Sequence, residues 1–296
     1  MPVLARSRHA VLAAVLLTVA ACGKPAEKPP AKAAATADAP AVKLYALDCG
    51  RIRVADADEF ADNGAFKGKT VDMVDPCYLI RHPKGDLLWD TGVPQAIHDQ
   101  PNGIVDGNYH VTVPRTLTDQ LAELKLTPGD IDYLSLSHSH FDHMGNAALF
   151  DKATWIVDAD ERAYIFRPEA RKNAQDFAAK APLERFRTEE ITGEGDRDVF
   201  GDGSVTIVQA PGHTPGHAVL LVRLAKAGPV LLAGDMWHLG ESRAQRTVPS
   251  FNTDRARTLA SMDKVEALAK ATGARVVRQH VAEDFAALPK FPAALE

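Results

Sequence analysis

Residues Tyr133 to Gly145 read YLSLSHSHFDHMG, a short apolar run that breaks into three histidines and an aspartate. Tyr133-Leu134-Ser135-Leu136-Ser137 is predicted as a buried strand, which puts His138, His140, Asp142 and His143 in the loop at its carboxyl end. Alternate side chains of an extended or turning backbone face the same way. His138 and His140 can therefore hold one cation while Asp142 and His143 turn toward a second. A lone H-x-H is as often a solvated polar turn, but four ligand-type side chains in so short a loop weigh against that reading. Three further candidates each follow an apolar run: His213 after Val205 to Ala210, Asp235 after Val230 to Gly234, and His280 after Arg275 to Gln279. In layered α/β folds the carboxyl ends of strands open onto a common crevice, so ligands scattered along the chain can converge there.

The combined set, His138-x-His140-x-Asp142-His143 with His213, Asp235 and His280, resembles the metallo-β-lactamase superfamily in its dinuclear form. The resemblance implies an α/β fold, a four-layer αβ/βα sandwich with two sheets face to face and helices outside. It assigns His138, His140 and His213 to one metal and Asp142, His143 and His280 to the other, with Asp235 bridging. Two divalent ions are implied. Zinc is the default for imidazole-rich, redox-inert sites, although iron, manganese or cobalt fits the same donors. The implied chemistry is hydrolysis by a bridging hydroxide.

Within the superfamily the chain is most similar to N-acyl homoserine lactonases, through Leu44-Tyr45, Pro76-Cys77-Tyr78-Leu79, Trp89-Asp90-Thr91-Gly92, His140-Phe141-Asp142-His143 and Pro211 to His217. That likeness implies a small lactone or ester substrate and makes Asp142 the candidate to protonate the departing ring oxygen. It also implies that Asp90 hydrogen-bonds a ligand histidine, the alternative being a plain turn residue. Several lactonases carry a tyrosine three residues after the bridging aspartate, where this chain has His238. An imidazole there can donate to the substrate carbonyl or sit at the rim. His217 reads as structural or as lying behind the ligands, and His9, His82, His98 and His110 as surface or loop residues. Competing activities are an organophosphate hydrolase of the methyl-parathion type and a glyoxalase II-like thioesterase. The latter is disfavoured because only 16 residues follow His280, too few for a helical glutathione-binding domain. The non-enzymatic alternative is a zinc-binding lipoprotein of the periplasm.

Arg6 and Arg8 precede an apolar run, Ala10 to Ala21, too short to span a membrane and suited to a signal peptide. Val19-Ala20-Ala21-Cys22 resembles a bacterial lipobox, so residues 1–22 are expected to be a lipoprotein signal, with lipid attached at Cys22 and the protein anchored on the periplasmic side of the cell envelope. An ordinary secretory signal with an incidental Cys22 is the alternative. Residues 23–41, rich in Ala, Pro and Lys, should form an extended tether. The folded hydrolase domain is expected over residues 42–296.

Residues 1–41 hold five of the 34 basic and two of the 39 acidic side chains, which leaves the domain 29 against 37, a net charge of −8. Nucleic acid is an unsuitable partner for such a surface. Cys49 and Cys77 fall in two early strand-like segments, where an oxidising compartment permits a disulfide. A buried free Cys77 beside Tyr78-Leu79-Ile80 is the other reading. Strands are predicted at Val42–Cys49, Met73–Arg81, Asp86–Trp89 and Thr154–Val157. Gly92 to Arg115 is expected to be a long loop whose Val93, Ile97, Ile104 and Val105 face substrate or pack on the domain. Helices are predicted at Thr116–Leu124, at Asp158–Lys180 with a break at Pro168 and a place on the site's rim, and at Asp254–Ala271, capped by Asn252-Thr253 and ended by Gly273.

Overall fold

The computed structural model describes residues 41–193 and 195–296. The expected signal, the lipid site Cys22 and most of the tether lie outside the described residues, as does His9. Strands β1 (Lys43–Val54), β2 (Val71–His82) and β3 (Gly85–Trp89) form the expected antiparallel meander. β1 runs past Cys49 because a bulge between Asp48 and Arg51 absorbs Gly50 without ending the pairing. The segment expected as a loop contains a hairpin, β4 (Ile104–Asp106) and β5 (Tyr109–Thr112), which pairs with β1. Its two-residue connection is Gly107-Asn108 with Gly107 at φ 54°, a turn in which glycine relieves the strain of positive φ.

Helix α1 (Leu117–Glu123) follows, its first turn capped by the Thr116 hydroxyl. Next come β6 (Tyr133–Ser135), the single-turn α2 (Phe141–Met144), β7 (Thr154–Asp158), α3 (Ala159–Ile165), α4 (Ala174–Lys180) and β8 (Arg187–Ile191). The eight strands lie in the order β4-β5-β1-β2-β3-β6-β7-β8. A second sheet, ordered β13-β12-β11-β10-β9, is built from β9 (Arg197–Asp198), β10 (Val205–Gln209), β11 (Ala218–Leu224), β12 (Gly228–Leu232) and β13 (Arg275–Val277). Between β12 and β13 run α5 (Ser242–Gln245) and α6 (Arg255–Thr272), and α7 (Ala282–Ala286) comes last. α6 starts one cap later than expected: Asp254 accepts the Arg257 N–H, which frees Asn252 for another task, and Gly273 ends the helix at φ 67°.

Side-chain alternation along the strands sorts the apolar residues into layers. Leu44, Ala46, Tyr78, Ile80, Leu87 and Trp89 of the first sheet meet Ile207, Leu220, Val222, Val230 and Leu232 of the second in one core between the sheets. Their neighbours point the other way. Leu47, Leu79, Leu88 and Trp155 pack outward on Leu117 and Leu121 of α1. Val208, Val219, Leu221 and Leu231 pack on Met262, Val265 and Ala269 of α6. The result is the four-layer αβ/βα sandwich that the resemblance implies. β11, which was not foreseen, is covered on both faces, as β2 and β3 are, so AVLLVRL reads as an almost unbroken apolar run without an alternating signature.

Cys49 and Cys77 are joined as a disulfide across β1 and β2, with Cα atoms 5.7 Å apart. Gly92, at φ 65°, packs against this bridge so closely that a Cβ would lie 2.3 Å from the Cys49 Cβ. The bond closes a loop of 28 residues and constrains the unfolded chain. Replacing both cysteines by serine should lower the unfolding free energy by roughly 2–4 kcal/mol. Denaturant titration of the double variant beside the oxidised wild type measures this.

Candidate metal centre

Each metal-ligand candidate leaves the carboxyl end of a strand, or the turn just after it, and all arrive at one place. Ligand atoms of His138, His140, His213 and Asp235 lie within 4.8 Å of one another, and so do those of Asp142, His143 and His280. Three ring nitrogens crowd in the first group: His138 Nε2 is 2.8 Å from His140 Nδ1, and His213 Nε2 is 3.2 and 3.1 Å from these two atoms. Asp235 divides its oxygens between the groups. Its Oδ2 is 3.5 Å from the Nε2 atoms of both His138 and His213, whereas Oδ1 is 3.2 Å from His143 Nε2 and 3.0 Å from His280 Nε2. Asp142 closes the second group, 3.9 Å from His143 Nε2 and 3.6 Å from His280 Nε2.

The back sides of His143, His280 and His213 are fixed. Asp90, held at φ 59°, accepts the Ser137 N–H on Oδ1 at 2.6 Å and faces His143 Nδ1 with Oδ2 at 3.0 Å. His280 Nδ1 donates to the Val74 carbonyl at 3.0 Å, and His213 Nδ1 faces Asn252 Oδ1 at 3.2 Å. His217 donates through Nδ1 to the Ala210 carbonyl and accepts the Asp235 N–H on Nε2, both at 3.0 Å. It thus sits behind Asp235, fixing its main chain. Such outer partners select the tautomer and aim the free nitrogen inward.

Burial and the neighbouring histidines keep His138 and His140 well below the ordinary imidazole range, so both are neutral donors. Burial and His213 bring His217 down to about 3. At His143 burial acts in the same direction but is outweighed by Asp235, Asp90 and Asp142, which lift it well above that range. His280 is likewise raised, to about 9, by Asp235 and Asp142 against the effect of burial. Burial alone would raise Asp235, yet His143, His238, His280 and His138 hold its carboxyl well below the usual range.

His143 Nε2, His280 Nε2 and Asp235 Oδ1 are buried with no hydrogen-bond partner among the described residues, and all face the centre. Leaving such groups unpaired costs about 1–3 kcal/mol each. A cation accepting their lone pairs removes that cost, and the donor set of imidazoles and carboxylates suits a divalent, borderline ion. The residues therefore fit two metals.

A family model described as the metallo-beta-lactamase superfamily matches residues 74–280. The chain belongs to the metallo-β-lactamase superfamily. Among its relatives is the N-acyl homoserine lactonase AttM of Azorhizobium caulinodans, 31% identical over 258 residues, which cover 85% of this chain and 97% of AttM. Of solved structures in the superfamily, an N-acyl homoserine lactone hydrolase with N-hexanoyl-L-homoserine at its catalytic metal centre superposes with a TM-score of 0.72 at 24% identity, covering 86% of this chain and 98% of that one. The dizinc quorum-quenching lactonase AidC superposes with a TM-score of 0.61 at 20% identity, covering 86% and 89%.

In this superfamily member the centre opens onto a cavity of about 260 Å³. His140, Asp142, Asp235 and His238 line its metal side, while Ile52, Phe60, Met73, Tyr109 and Phe251 form an apolar wall. His238 is no rim residue: it is buried, packed against Phe60 and Phe251, with Nε2 3.0 Å from Asp235 Oδ2. A larger cleft, about 740 Å³, lies beyond the Pro211–His217 loop among Asp158, Arg257 and Lys264, and none of the seven candidate ligands lines it.

Of the residues expected to face substrate or pack on the domain, Val93 and Ile97 pack in a core cluster; Ile104 and Val105 are exposed, and none of the four lines the 260 Å³ cavity. Other expectations need correction. The broken helix after β7 does not rim that cavity either; its contribution, Glu161, lies beneath the ligand loops. His82 is buried, stacked 4.0 Å from Phe200 and 3.0 Å from Asp202, whereas His98 is exposed as expected. Sequence reading also missed Asp75. This fully buried carboxyl is pushed up to about 8 by burial and by Asp142, and it accepts the Val93 N–H at 2.9 Å, bracing the turn that carries Asp90. Asn252 and the wall residues were missed as well, because they belong to no motif.

Asp90→Asn should be tolerated by the backbone, since asparagine also adopts positive φ. The amide keeps an acceptor for Ser137 and turns a donor toward His143. Metal affinity should fall roughly 10–100-fold with the fold retained, as read by chelator competition alongside circular dichroism.

Proposed function

We propose that this chain is a dinuclear zinc hydrolase that opens the lactone ring of N-acyl homoserine lactones. The observation that carries the reading is the junction of two complete donor groups, sharing Asp235, with a small apolar-walled cavity. The lactonase relatives support it, being hydrolases of lactone ester bonds. Two cations in these groups supply Lewis acidity toward the ester carbonyl and a water acidified toward neutral pH.

The protein's own residues do the rest. His138, His140 and His213 would hold one ion and Asp142, His143 and His280 the other, with the Asp235 carboxylate between the two donor groups. Phe60, Phe251, Ile52 and Met73 receive the acyl chain and keep water off the amide side of the substrate. His238 Nε2, buried on the cavity wall and 3.0 Å from Asp235 Oδ2, is placed to donate to the carbonyl oxygen as charge develops there. Water adds to the carbonyl carbon and gives a proton to the Asp142 carboxylate, which lines the cavity; the bond from that carbon to the ring oxygen breaks, and Asp142 passes the proton to the departing oxygen. The product is the open hydroxy acid.

Metal-reconstituted protein should turn over homoserine lactones in preference to an aryl phosphotriester and to S-lactoylglutathione, with two ions bound per chain. His238→Ala removes one hydrogen-bond donor worth about 1–3 kcal/mol, so lactone opening should slow roughly 5–150-fold while metal content stays unchanged. Fully loaded wild type that leaves every lactone intact, or opens the phosphotriester faster, defeats the assignment.

Export belongs to the same proposal. The lipobox-like Val19-Ala20-Ala21-Cys22 and the Cys49–Cys77 disulfide both suit an oxidising envelope compartment, with the protein anchored through lipid at Cys22. No helix among the described residues is long and apolar enough to cross a membrane. Cys22→Ser should shift the protein from the membrane fraction to the soluble periplasm or leave the precursor uncleaved. Wild type recovered in soluble cytoplasm speaks against the anchor.

A further inference from the structure

Glu161, in α3, is 3% exposed. Its two oxygens accept main-chain N–H groups from two different ligand loops: Oε1 from Ser139 at 2.8 Å and Oε2 from Gly216 at 3.0 Å. Ser139 lies between His138 and His140. Gly216 lies three residues beyond His213 and directly before His217. One carboxylate therefore joins the loop carrying two imidazoles of the first donor group to the loop carrying the third. The approach leaves no room for a side chain at Gly216. A Cβ at Gly216 would sit 2.6 Å from the Glu161 Cβ and 2.4 Å from Asp158 Oδ1.

We propose that Glu161 is a positioning residue that fixes the distance of His213 from the His138-x-His140 pair and so sets the affinity of that group for its cation. The inference rests on the metal-centre reading above. The physical ground is acceptor count. An ionised carboxylate accepts on both oxygens, whereas an isosteric amide accepts on one and would point its NH₂ at the second N–H. With that bond replaced by a donor facing a donor, one loop must move. Three ring nitrogens that stand 2.8–3.2 Å apart then lose their common focus.

The test uses full-length protein, zinc competition against a chelator of known affinity, and the visible spectrum of the cobalt-loaded form. Glu161→Gln should bind one ion with the affinity of wild type and the other roughly 10–100-fold more weakly, with altered cobalt bands. Glu161→Asp, which keeps both acceptors, should recover part of the loss. Gly216→Ala, which leaves the carboxylate in place but pushes the loop off it, should weaken the same ion, and it carries the test if Glu161→Gln does not fold. Asp158→Ala is the structural control. It removes the α3 cap to Asp160 and Glu161, and should lower thermal stability while leaving both affinities unchanged. Two ions held by Glu161→Gln as tightly as by wild type, with the same cobalt spectrum, would overturn the inference alone. Affinity that drops in Asp158→Ala as far as in Glu161→Gln overturns it too, since the effect would then follow general stability. Wild type that binds no ion removes the metal-centre reading and this inference with it.

Discussion

The carboxylate of Asp235 is what makes the centre of this molecule tolerable to the fold. Five imidazoles and a second carboxylate converge around it, almost wholly out of water. Ionised groups taken from water lose several kcal/mol each, and only opposite charge or a cation offsets that loss. Asp235 faces His143 and His280 with one oxygen and His138, His213 and His238 with the other, so every imidazole on either side has it as a neighbour except His140. Its main chain is in turn fixed by His217, and the short turn after β12 that carries it is packed on Trp237 and Met236 in the layer beneath α6. Position, charge and packing thus meet at a single side chain.

From that constraint follows the distribution of the supporting groups. The first sheet contributes Asp90 after β3, the Val74 carbonyl on β2 and the ligand loop after β6, while the second contributes His213, Asp235 and His280 after β10, β12 and β13. The core between the sheets is apolar and carries no orientation of its own beyond strand alternation. Beside the site, hydrogen bonds of 2.6–3.0 Å cross from one sheet to the other: Gln279 Nε2 donates to the Pro76 carbonyl, the Ala218 N–H to the Ser137 carbonyl and His280 Nδ1 to the Val74 carbonyl. Glu161 extends the same pattern to the helical layer, since α3 reaches both ligand loops through one carboxylate.

Sequence reading recovered what is periodic or locally dense. The HSHFDH cluster was visible because its spacing places donors by backbone geometry alone, and β1 to β3 and α6 were visible by alternation and by a 3.6-residue stripe ending at Gly273. The Gly107-Asn108 hairpin carried a legible turn signal that was absorbed into an expected long loop. Asp75, Glu161 and Asn252 were illegible for a different reason. Each meets its partners in the site across separations of 18 to 55 residues, and a single Asp, Glu or Asn carries no sign of which distant group it will meet. His82 was misplaced on the surface because its partner Phe200 lies over a hundred residues away, in the turn of the other sheet.

Because superfamily members share the sandwich and much of the ligand set, the chemistry each performs is decided around the metals. Here the decisive surroundings come from segments absent from the metal motifs: Phe60 from the short turn after β1, Tyr109 from the hairpin and Phe251 from the loop before α6. Tyr109 donates to Glu59 at 2.7 Å, which ties the hairpin to that turn and keeps the phenol from acting in the cavity as a free donor. Burial and Glu59 push its ionisation well up, so the wall stays neutral. On the metal side the one imidazole outside the two donor groups is His238. A cavity of about 260 Å³ falls just under the usual range of roughly 300–1,000 Å³ for ligand sites. Its mouth is flanked by Phe141 and Phe251, which are 48% and 39% exposed. The fold brings the two donor groups together, while Phe60, Tyr109 and Phe251, from a short helical turn, a hairpin strand and a loop, set the size and polarity of the space in front of them.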